Sequence, residues 1–392
     1  MAYQEVTTTS YGKRVGNSFK GIGGGIIMFI AATVLLWWNE GRAVKTDKML
    51  NEAQKACVEM ENPSKKDIAL DGELVCATAV ATTQDSLIDT RFGFGTTAIS
   101  LQRMVEYYQW VEHAESKSED KLGGKEVTTT TYTYTKEWVS SPIQSSTFKD
   151  PDYQNKNTVL TQIESQDWWA EDVSFGAYKL NESLIHSISS REPVALAISE
   201  DLLKQYKEAH QDGNVLYIGH SANNPEVGDV RVTWEKIVPA KVTIISQVDG
   251  DTFKPFKAKN GQRFQTLVMG KKDADEIFES EHSANKMLMW ILRLVGVILA
   301  VAGLKGIFGF LETLLKVVPF LANILGWGVG VVCTVVGVVW SLIVIALAWL
   351  FYRPILGIAL LALAGFLIWF FAFKGKDKVK ELTSKKTTEQ VQ

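Results

Sequence analysis

Between Lys316 and Lys374 the chain carries one full charge, Arg353, in a background of Leu, Val, Ile, Phe, Trp, Ala and Gly. A bilayer core about 30 Å thick needs about 20 apolar residues of helix to cross it. The run Gly326 to Phe351 meets that length, within a span predicted over 324–351, and Ile355 to Phe373 gives a second span over 355–373. The triplet Tyr352-Arg353-Pro354 parts them, because proline lacks an N–H and disfavours helix at the residue before it. A core helix of a soluble protein rarely holds more than about 14 successive apolar residues, so the block reads as two membrane helices joined by a tight turn.

That block makes the averages misleading. The chain has 392 residues, 46% of them hydrophobic, but the ends are apolar and the middle is polar. A net charge of −3 gives no electrostatic footprint for nucleic acid. Cys333 lies inside an apolar run and reads as a small packing residue. Cys57 and Cys76 lie in the polar middle, where they form a disulfide if that region faces an oxidising compartment and stay free otherwise. There is no C-x-x-C pair and no zinc-ligand spacing, and no cofactor is expected.

Residues 1–20 are polar and carry Lys13, Arg14 and Lys20. The uncharged stretch 21–38 ends in Trp37-Trp38-Asn39-Glu40. A cleaved signal peptide needs a shorter apolar core and small residues at its cleavage site, so 21–38 is read as a retained signal anchor with its two Trp rings at the headgroup level. The basic residues put the N-terminus in the cytoplasm. Residues 39–286 then form an extracytoplasmic or lumenal α+β domain of mainly antiparallel strands. Leu74-Val75, Ile99 to Val111, Val215 to Ile218, Val230 to Trp234, Val242 to Ile245 and Phe264 to Val268 are strand candidates. Thr/Tyr-rich Val127 to Val139 pairs as a hairpin across the loop Ser118 to Gly124. Helices are expected over Ser199 to His210, with Ser199 as N-cap, and over Asp273 to Lys286.

A second span follows over 287–303. It contains Arg293 about two turns in, which marks either a functional charge or a residue that snorkels to the headgroups or pairs with Glu40. Over 304–320 the polar positions Lys305, Gly309, Glu312, Thr313 and Lys316 recur at three and four residues. That pattern suits an interfacial amphipathic helix on the cytoplasmic side; a loop or an extension of the preceding span is the alternative. With 324–351 and 355–373 the chain makes four crossings, and the Lys-rich tail 374–392 belongs in the cytoplasm by the same charge rule.

Little in the sequence carries chemistry. Gly21, Gly23, Gly24 and Gly25 open a membrane span and not a βαβ unit, which excludes a dinucleotide loop. Gly21 with Gly25, and Gly326 with Gly330, have the four-residue spacing that lets helices approach closely in lipid, inside the protein or between protomers. The histidines His113, His186, His210, His220 and His282 share no metal-ligand spacing. No serine sits in a nucleophile elbow, and the membrane region has no histidine to build a Ser–His site. Trp168 and Trp169 either line a carbohydrate or lipid site or belong to the domain core. Asn181-Glu182-Ser183 is a glycosylation sequon.

Five stretches in order complete the reading. They are Asn39-Glu40-Gly41-Arg42-Ala43; Val105 to Glu112; Tyr132, Tyr134, Glu137 and Trp138; Asn224-Pro225-Glu226-Val227-Gly228-Asp229-Val230-Arg231-Val232; and Phe351-Tyr352-Arg353-Pro354. Together they resemble the transmembrane protein 43 family, also called LUMA, over roughly residues 20 to 373. The resemblance implies four spans and a large domain between the first two. It also implies a non-enzymatic organiser of membrane protein complexes in the endoplasmic reticulum and inner nuclear membrane. In a bacterium the equivalent place is the inner membrane, with a periplasmic domain. It brings no catalytic residues. The expected partners are the bilayer, further copies of the chain and other membrane proteins, and not nucleic acid. A lipid- or envelope-polymer-binding module is the rival expectation.

Overall fold

The computed structural model describes residues 3–206, 208–317, 319–355 and 358. Apart from Ile355 and Ile358, the expected span over 355–373 and the tail 374–392 lie outside those residues. The described helices are α1 (Tyr11–Ala56), α2 (Glu182–Ile185), α3 (Glu200–Gln205), α4 (Ala274–Leu315) and α5 (Pro319–Tyr352). Three of them, α1, α4 and α5, are long and apolar enough to cross a membrane. The chain divides into two units, one β-rich and one helical.

The β-rich unit holds two large sheets. In the first, Tyr3–Thr9, Glu126–Val139, Ser100–Asp120, Val230–Ile237, Val215–Ile218 and Ala209–Asp212 pair antiparallel in that order. Arg191–Pro193 adds to Val230–Ile237, and Gln166–Trp169 adds to Ser100–Asp120. In the second sheet Leu74–Thr83 pairs with Ala240–Asp249, flanked by Val173–Phe175 and Thr266–Met269. Cys57–Glu59 is a parallel addition to it. Alternation explains the strands: Val230–Ile237 buries Val230, Val232 and Trp234 and turns Arg231 and Thr233 outward, the period-2 pattern of a half-buried strand. Met49, Leu50 and Ala53, at the end of α1, pack into a core with Leu74, Ile245, Phe264 and Phe278.

Helix α3 has the Ser199 cap, whose Oγ accepts from Leu202 N at 3.3 Å. It stops at Gln205, well short of His210, because His210 belongs to the strand Ala209–Asp212. No break separates 287–303 from 304–320. Helix α4 continues to Leu315, and the next proline, which ends helices by removing a donor, is Pro319. Cys57 and Cys76 carry free thiols. Burial, reinforced for Cys57 by Cys76 and Glu59, pushes Cys57 up to about 12. Burial with Glu59 nearby pushes Cys76 up to about 11.

The hairpin Ser100–Asp120/Glu126–Val139 carries a third strand. Its outer strand pairs over seven residues with Tyr3–Thr9, Tyr3 opposite Tyr132 and Thr9 opposite Glu126. Glu115, Lys117 and Glu119 of the neighbouring strand are exposed. Tyr3–Thr9 thus belongs to the β-rich unit and is not a free polar tail.

Two outcomes follow. A Thr7→Cys/Thr128→Cys variant, whose positions face each other in the ladder, is expected to oxidise to a disulfide in native membranes, seen as a reduction-sensitive linked peptide by mass spectrometry; no cross-link would refute the pairing. Cys57 and Cys76 are expected to resist maleimide at pH 7.5 in folded protein and to react on unfolding, since burial removes the thiolate.

Candidate functional site

The N-E-G-R stretch of α1 builds a buried polar clasp in the helical unit. Asn39 and Glu40 are fully buried and Arg293 is 7% exposed. Arg293 of α4 donates through Nε to Glu40 Oε1 at 2.6 Å and through Nη2 to Glu40 Oε2 at 2.9 Å. Trp349 of α5 donates Nε1–H to the same Oε2 at 2.8 Å. The guanidinium lies over the Trp290 ring at 4.6 Å and near the Trp349 ring at 5.5 Å. Two parallel charge-assisted bonds match the planar fork of arginine to a carboxylate. An unpaired charge at this depth would cost several kcal/mol, so the pair, the indole donor and the ring faces together make it tolerable.

Around this centre the amides complete the seam. Asn39 Nδ2 donates to Met289 O at 3.0 Å, and Asn285 Nδ2 donates to Ala43 O at 3.0 Å. Arg42 donates through Nη1 to Asn285 Oδ1 at 2.9 Å and through Nη2 to Asn39 Oδ1 at 3.4 Å. Gly41 receives the Tyr352 ring of α5: a Cβ there would stand 2.6 Å from it. Asn39, Glu40, Gly41 and Arg42 are thus joined with Tyr352, from the far end of the sequence. Arg353 closes the last turn of α5 by donating its backbone N–H to Trp349 O at 2.8 Å, and Pro354 follows.

The small residues serve the same seam. A Cβ on Gly25 would lie 2.7 Å from Gly303 O, and Gly21 faces Gly306 O at 3.9 Å. Those glycines make contact inside the chain, between α1 and α4. Gly326 faces the Glu312 side chain and Gly330 faces Lys305.

The other family stretch, Pro225 to Asp229, folds as a locked turn in the β-rich unit. The buried Asp229 carboxylate accepts from Glu226 N at 2.9 Å and from the Tyr217 hydroxyl. A Cβ on Gly219 would collide with that carboxylate. Gly228, at φ +111°, donates to Tyr108 O at 3.0 Å. Arg231 stacks 4.4 Å over Trp138 and bonds Glu106 at 2.6 Å. These contacts shape a turn and leave Asp229 no free role in chemistry. Trp168 lies 5.4 Å from the Arg103 guanidinium. Trp169 packs against His186 with ring centroids 4.4 Å apart and planes tilted by 47°, and lines a cleft of about 390 Å³ with Glu171, Glu182 and Ile185. Asn181, the sequon residue, caps α2 and donates Nδ2 to Phe253 O at 2.8 Å.

Sequence reasoning missed a second buried pair. Asp89, fully buried, accepts from Arg103 Nη1 at 2.6 and 2.7 Å and from Trp234 Nε1 at 2.9 Å. Arg103 also donates Nε to Glu164 O at 3.0 Å. Its only sequence signal is an inward position for an arginine in an alternating strand. Among the described residues no group of three or more His, Cys, Asp or Glu side chains is placed to hold a metal.

Glu40→Gln or Arg293→Ala alone is expected to lower the stability of the detergent-solubilised protein by about 3–5 kcal/mol. Joint replacement, Glu40→Leu with Arg293→Met, should recover most of the loss. Denaturant or thermal unfolding measures both; equal losses in the single and double variants would show that the pair is not coupled.

Comparison with known proteins agrees with these motifs. The family model described as Transmembrane protein 43 matches residues 107–354, ending on Pro354 of the turn after α5. Transmembrane protein 43 of Rattus norvegicus is 31% identical over 355 residues, covering 88% of this chain and 87% of that protein. The Homo sapiens protein is 30% identical over 364 residues, covering 90% and 89%. The Drosophila melanogaster homolog is 26% identical over 353 residues, covering 88% and 93%. No solved structure matches. With helices able to cross a bilayer, clasped by the N-E-G-R and F-Y-R-P stretches, this chain belongs to the transmembrane protein 43 family of integral membrane proteins.

Proposed function

We propose that the protein is a non-enzymatic membrane scaffold that holds membrane protein complexes together. The observation that carries this reading is how the buried polar groups are used. Glu40, Arg293, Asn39 and Asn285 all bond one another or backbone, and Asp89 and Arg103 do the same. Catalysis needs a group left poised for a substrate, and these groups are spent on holding helices and strands. What remains for recognition is surface. Ile27 of α1, Trp290 of α4 and Trp327 of α5 are 70%, 64% and 76% exposed, and in lipid such faces are open to other helices.

Four crossings belong to this reading, with 355–373 as the fourth on the strength of its apolar composition. Both termini face the cytoplasm, on the strength of Lys13, Arg14 and Lys20 and the lysines after Lys374. A second reading has one observation in its favour: the cleft at Trp169 combines an aromatic ring, His186 and two carboxylates, a combination suited to a lipid headgroup or envelope polymer.

The test is affinity capture after mild detergent extraction. The scaffold reading expects defined membrane proteins, or oligomers of the chain, in fixed ratio across detergents. A partner-free monomer in every detergent would overturn it. Loss of a bound lipid or glycan on Trp169→Ala, with partners unaltered, would favour the second reading.

A further inference from the structure

Lys305 is the charge of the helical unit that lines a pocket between α4 and α5. It lies 18 residues past Met287 on α4, about 27 Å along the axis at about 1.5 Å per residue. That distance is close to the thickness of a bilayer core of about 30 Å, so Lys305 reaches the headgroup level opposite Met287. It has no hydrogen-bond or ion-pair partner among the described residues. The one nearby carboxylate, Glu312, is engaged by Lys316 at 3.6 Å. Lys305 lines a pocket of about 450 Å³ with Gly326, Trp327, Gly330, Val331 and Val335. Gly330 faces its stem, with Lys305 Cε 4.0 Å from where a Cβ would stand.

We propose that this pocket seats the phosphate of an anionic phospholipid on the Lys305 ammonium, with an acyl chain along Val331 and Val335. Charge complementarity selects the ligand: one unpaired cation, no competing free acid, and walls that are apolar or small apart from Thr334, whose hydroxyl is spent on Gly330 O. Trp327, 76% exposed, stands where an indole ring favours the headgroup region. A lysine at a helix end commonly snorkels into open water. Lys305 differs in occupying a concavity formed with a second helix, which gives a lipid walls as well as a charge.

The test uses the full chain in nanodiscs of phosphatidylcholine that contain a headgroup-photoactivatable phosphatidylglycerol. Label is expected within residues 326–335, displaced by excess phosphatidylglycerol but not by excess phosphatidylcholine or inorganic phosphate. Lys305→Gln should cut the labelling about five-fold, the value of one lysine at a membrane surface, and Lys305→Arg should keep it. Label spread over all lipid-facing helix surfaces, wild-type labelling of Lys305→Gln, or competition by inorganic phosphate would each overturn the proposal. If Lys305→Gln fails to fold, the map and competition in the unaltered chain still decide. The labelling is read whether or not partners co-purify, so its failure is separable from failure of the scaffold reading.

Discussion

The Glu40–Arg293 pair sets the terms for the helical unit. Lipid offers no solvent to either charge, so neither α1 nor α4 is comfortable in a bilayer alone. The partners are 253 residues apart in sequence, and only the assembled unit joins them. Trp349 adds a third helix to the same oxygen. Sliding one helix against another by a turn, about 5.4 Å, would strand both charges, so the pair fixes register as well as association. Glycine does the complementary work. Gly25 against Gly303 brings the α1 and α4 backbones close, and Gly41 leaves room for the Tyr352 ring, so that the short, buried bonds can form.

The β-rich unit repeats this solution with different residues. Asp89, Arg103 and Trp234 again combine a carboxylate, a guanidinium and an indole donor in a buried place, with Phe92 and Trp168 near the guanidinium. Asp229 does the same on a smaller scale, joining Tyr217 to the Pro225–Asp229 turn. In each case a buried charge ties two different elements together. Removing one partner leaves the other desolvated, whereas an apolar core contact would only leave a gap.

The sequence made the apolar runs, the alternating strands and the hairpin legible, because each is a local pattern with its own period. Pairing of Glu40 with Arg293 was one of the options open for an arginine two turns inside a span, since opposite charges in lipid have few other places to go. Tyr3–Thr9 was not legible. Its Tyr-Gln-Glu-Val-Thr-Thr-Thr composition reads as a polar tail until Glu126–Tyr132 supplies the other side of the ladder. Asp89 and Arg103 were hidden for the same reason. Their spacing of 14 residues matches no helix or hairpin rule, and only the fold of Ser86–Asp89 and Ser100–Asp120 brings them together. The Trp168-Trp169 dipeptide split as strand geometry requires, because neighbouring residues of a strand face opposite ways: Trp168 packs with one core and Trp169 with another.

The same physics limits where recognition can take place. A charge pair that is fully satisfied has no attraction left for a third body, so Glu40, Arg293, Asp89 and Arg103 can transmit nothing to a ligand without first being broken. Surfaces without such closure are the ones free to act. In the helical unit these include the exposed apolar faces of α1, α4 and α5 and the ammonium of Lys305. Apolar faces give a scaffold contact area but little selectivity, since lipid tails compete for them on equal terms. An ammonium at headgroup depth discriminates by charge, which lipid tails cannot imitate. Affinity for partners and preference for a particular lipid then reside on the same helices, and the composition of the surrounding leaflet becomes a variable in what the scaffold can hold.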